Sequence, residues 1–169
     1  ESADVLIEGM RPGVMERLGL GPQECQARNP RLVYGRMTGW GQNGPLASAA
    51  GHDNNYIALS GALYHSGTAG EAPSSPITLI GDIGGGALYL AVGVLAGVLS
   101  ARQTGKGTVV DAAIVDGSAH MMQLMMSLTR RGMLQEQRGK SVHDGSHFYA
   151  TYRCADDQYV ALGSMEPQF

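Results

Sequence analysis

Cysteine, lysine and aromatic side chains are scarce in this sequence, and each scarcity narrows what the chain can be. The 169 residues hold two cysteines, Cys25 and Cys154, which lie far apart and form neither a CxxC motif nor a disulfide framework. A reducing compartment is therefore expected. Twelve Lys and Arg residues against fifteen Asp and Glu residues give a net charge of -3. No basic stripe interleaved with aromatic residues occurs, so we expect no nucleic-acid partner.

A long hydrophobic run is also missing. The longest apolar stretch covers residues 87–99 and is interrupted by glycines, whereas a helix that crosses a membrane needs about 20 apolar residues. The stretch therefore predicts a buried core helix and no membrane partner. Hydrophobic residues make up 43% of the chain, which is enough apolar side chain for a folded core.

Glycine is abundant instead. The sequence has 25 glycines in 169 residues, about twice the usual share of roughly 7%. They follow no collagen-like period and cluster in turns and at the start of one apolar helix. Such clusters predict close packing of backbone, or approach of backbone to a ligand.

Strand-like and helix-like segments alternate along the chain, which predicts an α/β layer with a mainly parallel sheet. We expect a long helix over residues 82–103 and a Met-rich helix over residues 119–134. The predicted division is residues 1–117 as part of a large domain, residues 118–148 as a helical linker, and residues 149–169 as the start of a small domain. The absence of an initiator Met and the lone terminal hairpin predict a piece of a longer protein.

Asp82 opens the long predicted helix and is followed by Gly84, Gly85 and Gly86. A carboxylate at that place caps free N–H groups and meets the positive end of the helix dipole, and on local pattern alone capping is the favoured role. Three glycines are not needed for a cap, and each costs about 1 kcal/mol in a helix interior. They indicate a bare backbone surface against which something else lies.

His52 also precedes a predicted helix, within the sequence Gly51-His52-Asp53. A helix start disfavours the imidazolium, which keeps the ring neutral and able to accept a proton. Asp53 is the better candidate for the helix cap, although local pattern alone also favours a capping role for His52. Arg11 and Arg17, which flank the first turn and helix, are candidate phosphate ligands, since open α/β sheets bind ligands at strand ends; because they are isolated arginines, the pattern alone favours a solvated surface position for both.

Taken together, these segments resemble the family III CoA-transferase-like proteins, and most closely their α-methylacyl-CoA racemase branch. The resemblance covers residues 4–22, 29–45, 50–61, 81–117 and 149–169. It implies an α/β fold, namely the Rossmann-like large-domain portion of the family III CoA-transferase fold plus the start of a small α+β domain. It further implies a homodimer of interlocked rings, with the active site between domains of different subunits.

The resemblance also implies site residues. The His of the GHD motif and the Asp of the GDxGGG motif, matching His52 and Asp82, are expected to form a two-base catalytic pair. Glu166 is expected to lie near the histidine and orient it. Coenzyme A enters as part of the thioester substrate, with no separate cofactor and no metal. The implied coenzyme A contacts are Gly9, Met10, Arg11, Arg17, Gly51, His52, Asp53, Asn54, Asn55 and Tyr56.

Three functions follow as hypotheses. The first is racemisation or epimerisation of 2-methylacyl-CoA thioesters, an isomerase activity of lipid and fatty acid metabolism. The second is transfer of CoA between carboxylic acids, with Asp82 as the nucleophile. The third is an inactive CoA-binding or dimerisation piece. His52 favours the first, because the resemblance implies that the transferase branch generally has another residue there. The expected compartment is the bacterial cytoplasm, or an organelle in a eukaryote.

Overall fold

Three parallel strands, β1 (Val5–Glu8), β2 (Val33–Thr38) and β3 (Val109–Ala113), form one sheet in the order β1-β2-β3. In the computed structural model, which describes residues 2–166 and 168, Tyr34 of β2 pairs with Val109 of β3. The first four residues of β2 are buried, as expected for the central strand of a covered sheet. The parallel sheet predicted from the alternation of elements is confirmed.

Helical segments accompany this sheet in the first part of the chain. Pro22 occupies the first turn of its helix, where a missing N–H costs nothing. The helices are α1 (Val14–Arg17), α2 (Pro22–Arg28), α3 (Asp53–Leu59), a π-helix (Leu79–Ala87), α4 (Leu88–Thr104) and α5 (Ile114–Met121).

Helix α4 packs directly on β2 because that strand has a glycine at the point of contact. A Cβ on Gly35 would lie 2.9 Å from Cδ1 of Leu90 and 3.2 Å from Cγ2 of Val94, so a larger residue would push the helix away from the sheet. The buried apolar cluster around this contact also contains Val33, Ala101 and Ala112. The helix is thus held by burial of its apolar face.

The long helix predicted over residues 82–103 is in fact two segments, the π-helix and α4. The difference arises at the glycines, whose missing side chains allow α5 to approach closely. A Cβ on Gly85 would lie 2.7 Å from the Ser118 amide nitrogen. Wide helical turns of this kind occur at functional sites. The apolar pattern that predicted the helix could not show this widened first part.

The predicted Met-rich helix also has different bounds in the structure. Helix α5 begins at Ile114, immediately after β3, so residues 115–118 are helical as well. Gly117 and Ser118 pack on Gly85, and this tertiary contact draws the segment into the helix. The Met-rich segment predicted as one helix over residues 119–134 is divided between α5, which ends at Met121, and a separate helix that begins at Gln123.

A second compact unit is formed by His65–Ser74 and Gln123–Phe169, whereas the sheet and its helices form the first. Within the second unit, Arg138 donates hydrogen bonds to the carbonyl oxygens of Ser66 and Glu71 at 3.1 and 2.6 Å. These bonds tie its two chain segments together. The domain division predicted at residues 117 and 148 stays a prediction. The secondary-structure elements of the second compact unit are α6 (Gln123–Arg130), α7 (Val142–Gly145) and the antiparallel hairpin of β4 (Thr151–Arg153) and β5 (Tyr159–Ala161).

The continuous helical segment Leu79–Thr104, 26 residues long, is apolar enough to cross a membrane by length and composition. This helical segment is longer than the apolar stretch of residues 87–99, because the π-helix (Leu79–Ala87) adds turns before that stretch. Leu90, Val94 and Ala101 are buried in the cluster against the sheet. That packing is the one expected of a core helix in an α/β layer.

Candidate active site

A cavity of about 220 Å³ opens at the carboxyl ends of β1 and β2, the edge at which open α/β sheets bind ligands. Three chain segments line it: the turn after β1, the loop after β2, and the loop that leads into α3. The lining residues are Gly9, Met10, Arg11, Pro12, Thr38, Gly39, Trp40, Ala47, Ala49, Ala50, Gly51, His52 and Tyr56. Six residues expected to contact coenzyme A are therefore brought together here.

Four other residues expected to contact coenzyme A do not line this cavity. Arg17 is exposed at the end of α1, and Asn54 is exposed on α3. Asn55 instead accepts a hydrogen bond from the His52 N–H through Oδ1 at 3.0 Å, and Asp53 is buried beneath the helix start. Their role in binding coenzyme A stays a prediction.

His52 is the residue immediately before α3, with an extended backbone that ends the loop. Gly51 must precede it, because a Cβ there would lie 2.7 Å from the Tyr56 ring and 3.0 Å from the Trp40 ring. The GHD sequence thus brings the loop close to two aromatic rings and leaves His52 exposed at the cavity. In that position the imidazole is accessible to a bound molecule.

Asp82 lies in the first turn of the π-helix and is half-buried. Its amide donates a hydrogen bond to Oδ1 of Asp53 at 2.7 Å. Burial raises the pKa of the Asp82 carboxyl above its ordinary value, the charge of Asp53 raises it further, and His52 lowers it. The hydrogen bond to Asp53 brings the residue that follows His52 against Asp82, and the expected two-base role of His52 and Asp82 stays a prediction.

Two aromatic rings form one wall of the cavity. Trp40 and Tyr56 pack edge to face, with ring centroids 4.7 Å apart and planes at 86°. Burial, and next the charge of Asp82, raise the pKa of the Tyr56 hydroxyl. The buried indole Nε1 of Trp40 has no hydrogen-bond partner among residues 2–166 and 168.

The turn that carries Arg11 is anchored by a buried ion pair that the sequence analysis missed. Glu8 accepts hydrogen bonds from the Met10 amide and from Arg36 Nε, both at 2.6 Å. Arg36 also binds Glu16 at 2.7 Å, and this hydrogen bond lowers the pKa of Glu16 and raises that of Arg36. The signal in the sequence was a charged residue, Arg36, within a strand that is otherwise suited to burial.

Trp40 was also missed, although it is the one tryptophan of the chain and stands in a glycine-rich loop directly after β2. Glu166 belongs to the second compact unit and is exposed, and its expected role beside His52 stays a prediction. Within the described ranges, 2–166 and 168, no group of three or more His, Cys, Asp or Glu side chains is placed to hold a metal ion.

The arrangement is suited to acid–base chemistry. The Asp82 carboxyl, whose pKa is raised, holds its proton to higher pH than an ordinary aspartate, and an imidazole is a common partner in general acid–base catalysis. Both groups stand at the starts of helices that pack on each other. An exposed guanidinium, that of Arg11, lines the cavity within the same unit, and is suited to phosphate.

A family model described as CoA-transferase family III matches residues 1–169. The chain is 44% identical over 168 residues to α-methylacyl-CoA racemase of Homo sapiens, covering 99% of this chain and 44% of that protein. It is 34% identical over 179 residues to a probable fatty acyl-CoA transferase of Mycobacterium tuberculosis, covering 99% of this chain and 45% of that protein.

Among solved structures, a CaiB/BaiF family protein from Brucella suis matches with a TM-score of 0.78 and 26% identity, covering 93% of this chain and 41% of that chain. The chain thus spans less than half the length of the relatives it matches. The names of these relatives describe racemases and CoA-transferases, so the family is one of enzymes. The predicted α/β fold is confirmed as part of the fold of that group, and the chain belongs to CoA-transferase family III.

Proposed function

We propose that the protein racemises 2-methylacyl-CoA thioesters by moving a proton between Asp82, His52 and the α-carbon of the acyl group. The observation that carries the proposal is geometric: Asp53, the residue that follows the cavity-lining His52, accepts the amide hydrogen of Asp82 at 2.7 Å and so joins the two helix starts. The family and the racemases among its relatives support the same reaction.

The reaction needs one base and one acid. The neutral imidazole of His52 takes the α-proton, and the electron pair of the C–H bond moves into the thioester carbonyl to give an enolate. Asp82 in its acid form then returns a proton to C2 on the opposite face. Since the pKa of Asp82 is raised, the acid form persists to higher pH than in an ordinary aspartate.

The residues and helix ends around His52 and Asp82 are suited to stabilise the negatively charged enolate. The starts of α3 and of the π-helix place the positive ends of two helix dipoles at the site. Fixed dipoles of this kind stabilise charge as it develops on a thioester oxygen. Arg11, at the other side of the cavity lining, is the residue we assign to the phosphates of coenzyme A.

CoA transfer is the second candidate, because the same half-buried carboxylate is suited to attack a thioester and several relatives are named as CoA-transferases. His52 favours racemisation. A transferase that works through Asp82 alone needs no second base, whereas a racemase needs a group on each face of the α-carbon.

Deuterium exchange tests the proposal. The intact protein is incubated in deuterium oxide with a 2-methylacyl-CoA and no acceptor acid, and deuterium at C2 is followed by mass spectrometry. Exchange without acceptor is expected, with a loss of about 10²- to 10⁴-fold in the His52→Ala variant and none in the exposed control His143→Ala. Exchange that requires an added carboxylic acid would identify a transferase instead.

A further inference from the structure

The carboxylate of Asp53 joins the starts of two helices. Asp53 is the first residue of α3 and is only 5% exposed. Its Oδ1 accepts the amide hydrogen of Asp82 at 2.7 Å. Its Oδ2 is buried and has no hydrogen-bond partner within residues 2–166 and 168. A buried carboxylate that satisfies one oxygen and leaves the other unpaired is costly for stability.

An acidic residue in the first turn ordinarily binds or faces the free amides of its own helix. Asp53 instead holds an amide of the π-helix, 29 residues further along the chain. Gly81 makes that approach possible, because a Cβ on Gly81 would collide with the Asp53 carboxylate and would lie 3.1 Å from Cγ2 of Ile57. The glycine and the aspartate together build the contact.

We propose that Asp53 is a positioning residue for Asp82: it fixes the Asp82 amide and sets the protonation state in which the Asp82 carboxyl enters the reaction. This inference rests on the proposed function. The proposal also gives a reason for the unpaired Oδ2 of Asp53. A cation bound to that oxygen would neutralise the Asp53 carboxylate and weaken its effect on the Asp82 carboxyl. The same proposal gives Asp53 a role other than contact with coenzyme A.

Two ionisable groups shift the pKa of Asp82: Asp53, the first residue of α3, and His52, the residue before it. Asp53 disfavours the ionised form of Asp82, and His52 favours it. Tyr56 responds to the same charge, since Asp82 raises the pKa of the Tyr56 hydroxyl. Replacement of Asp53 by a neutral residue therefore removes the charge that disfavours ionised Asp82 and leaves His52, which favours it. The pKa of Asp82 is expected to fall.

The residues that the other elements place against the π-helix glycines are Ile114, Gly117, Ser118 and Met121 of α5 and Met37 of β2, and none of these is titratable. Helix α5 also carries Asp116 and His120, which are exposed and are not among the groups that shift the pKa of Asp82. On β3, Asp111 accepts the amide hydrogen of Gln42, and the charged residue of α4, Arg102, stands in the last turn of that helix. Asp53 is thus the acidic neighbour whose charge acts on Asp82.

Two variants separate the two parts of the role. Asp53→Asn keeps an Oδ1 that can accept from the Asp82 amide and removes the charge. Asp53→Ala removes both. Asp116→Asn, at an exposed residue of α5, removes an equal charge from a group that is not among those that shift the pKa of Asp82, and serves as the matched control.

The first measurement does not depend on activity. In the intact protein labelled with carbon-13 at aspartate carboxyl carbons, the Asp82 signal is assigned by its loss in Asp82→Asn and titrated with pH. The Asp82 midpoint is expected to move to lower pH in Asp53→Asn and to stay in place in Asp116→Asn. An unmoved midpoint in Asp53→Asn, or an equal shift in the control, would overturn the proposal.

The second measurement is the pH profile of deuterium exchange. In Asp53→Asn the limb that reports Asp82 is expected to shift to lower pH with the optimal rate largely kept. In Asp53→Ala the optimal rate is expected to fall by up to about 100-fold, because small displacements of a reacting group are costly. Equal optimal rates in the two variants would show that Asp53 does not position Asp82. A wild type without exchange would contradict the proposed function, while the titration still decides the role of Asp53.

Discussion

Glu8 and Arg36 form a buried ion pair, with Arg36 Nε donating to Glu8 Oε1 at 2.6 Å between side chains that are 3% and 6% exposed. The second oxygen of Glu8 accepts the amide hydrogen of Met10, also at 2.6 Å. The pair therefore connects the central strand to the turn that lines the cavity. A buried charge with a full set of partners holds its surroundings in one arrangement, and here it holds the backbone beside Arg11.

Removal of Glu8 is expected to destabilise the intact protein strongly. In Glu8→Ala the buried Arg36 loses the carboxylate at its Nε and keeps the ion pair with Glu16, and breaking a buried pair costs about 3 kcal/mol. Urea denaturation should show this loss in the free energy of unfolding. The exposed control Glu24→Ala should stay within about 0.5 kcal/mol of wild type. A Glu8→Ala protein as stable as the control would contradict the structural role assigned to this pair.

The strands and the helix starts were within reach of sequence reasoning because periodic apolar residues and glycine-rich turns are local signals. The parallel sheet, the helix that begins at Asp53 and the helical character of the segment around Asp82 were all predicted. His52 and Asp82 were singled out because each precedes or opens a helix. Their expected role as a catalytic pair stays a prediction.

Contacts between residues far apart in the sequence could not be predicted from local patterns. Arg36 and Glu8 are 28 residues apart, and Asp82 and Asp53 are 29 apart, so no local pattern links them. The π-helix was missed for a related reason. Its wide turns depend on the close approach of α5 to Gly85, which is a tertiary effect that overrides local preference.

Replacement of Asp82 by Asn is expected to abolish racemisation and to stabilise the fold at neutral pH. The pKa of Asp82 is raised above the value of 3.8 of an ordinary aspartate, so the folded state binds this proton more tightly than the unfolded state. Stability is then lost as the pH rises from 3.8 through the folded-state pKa. Asn carries no charge, so the variant keeps its stability as the pH rises. Active-site residues that reduce the stability of the fold are a common case of the stability–activity trade-off.

Thermal or urea unfolding at several pH values checks this expectation. Wild type and Asp82→Asn should be similar in stability below pH 3.8 and diverge above it, with the variant the more stable. Asp116→Asn provides the control for the loss of an exposed carboxylate. A variant less stable than wild type at neutral pH would show that Asp82 is held by favourable partners and is not under electrostatic stress.

Arg11 is expected to contribute to coenzyme A affinity in a salt-dependent way. Its side chain lines the cavity and is exposed, and contacts with phosphate in such a setting are screened by ions. Arg11→Ala should weaken binding more at low than at high ionic strength, as measured by calorimetric titration. Arg17→Ala, which alters an exposed arginine outside the cavity lining, should have the smaller effect. Equal affinities of wild type and Arg11→Ala at both ionic strengths would exclude a phosphate contact.

The decisive distinction between the two enzyme hypotheses is whether Asp82 forms a covalent bond. A transferase nucleophile carries the acyl group as a mixed anhydride and releases the CoA thiolate, so the protein gains the acyl mass and hydroxylamine traps it. A racemase base exchanges only protons with the substrate, and its mass does not change. The intact protein mixed with a 2-methylacyl-CoA alone is therefore expected to show no adduct by mass spectrometry, in wild type as in Asp82→Asn. An acyl adduct present in wild type and absent from Asp82→Asn would assign the nucleophilic role to Asp82, and with it the transfer of CoA.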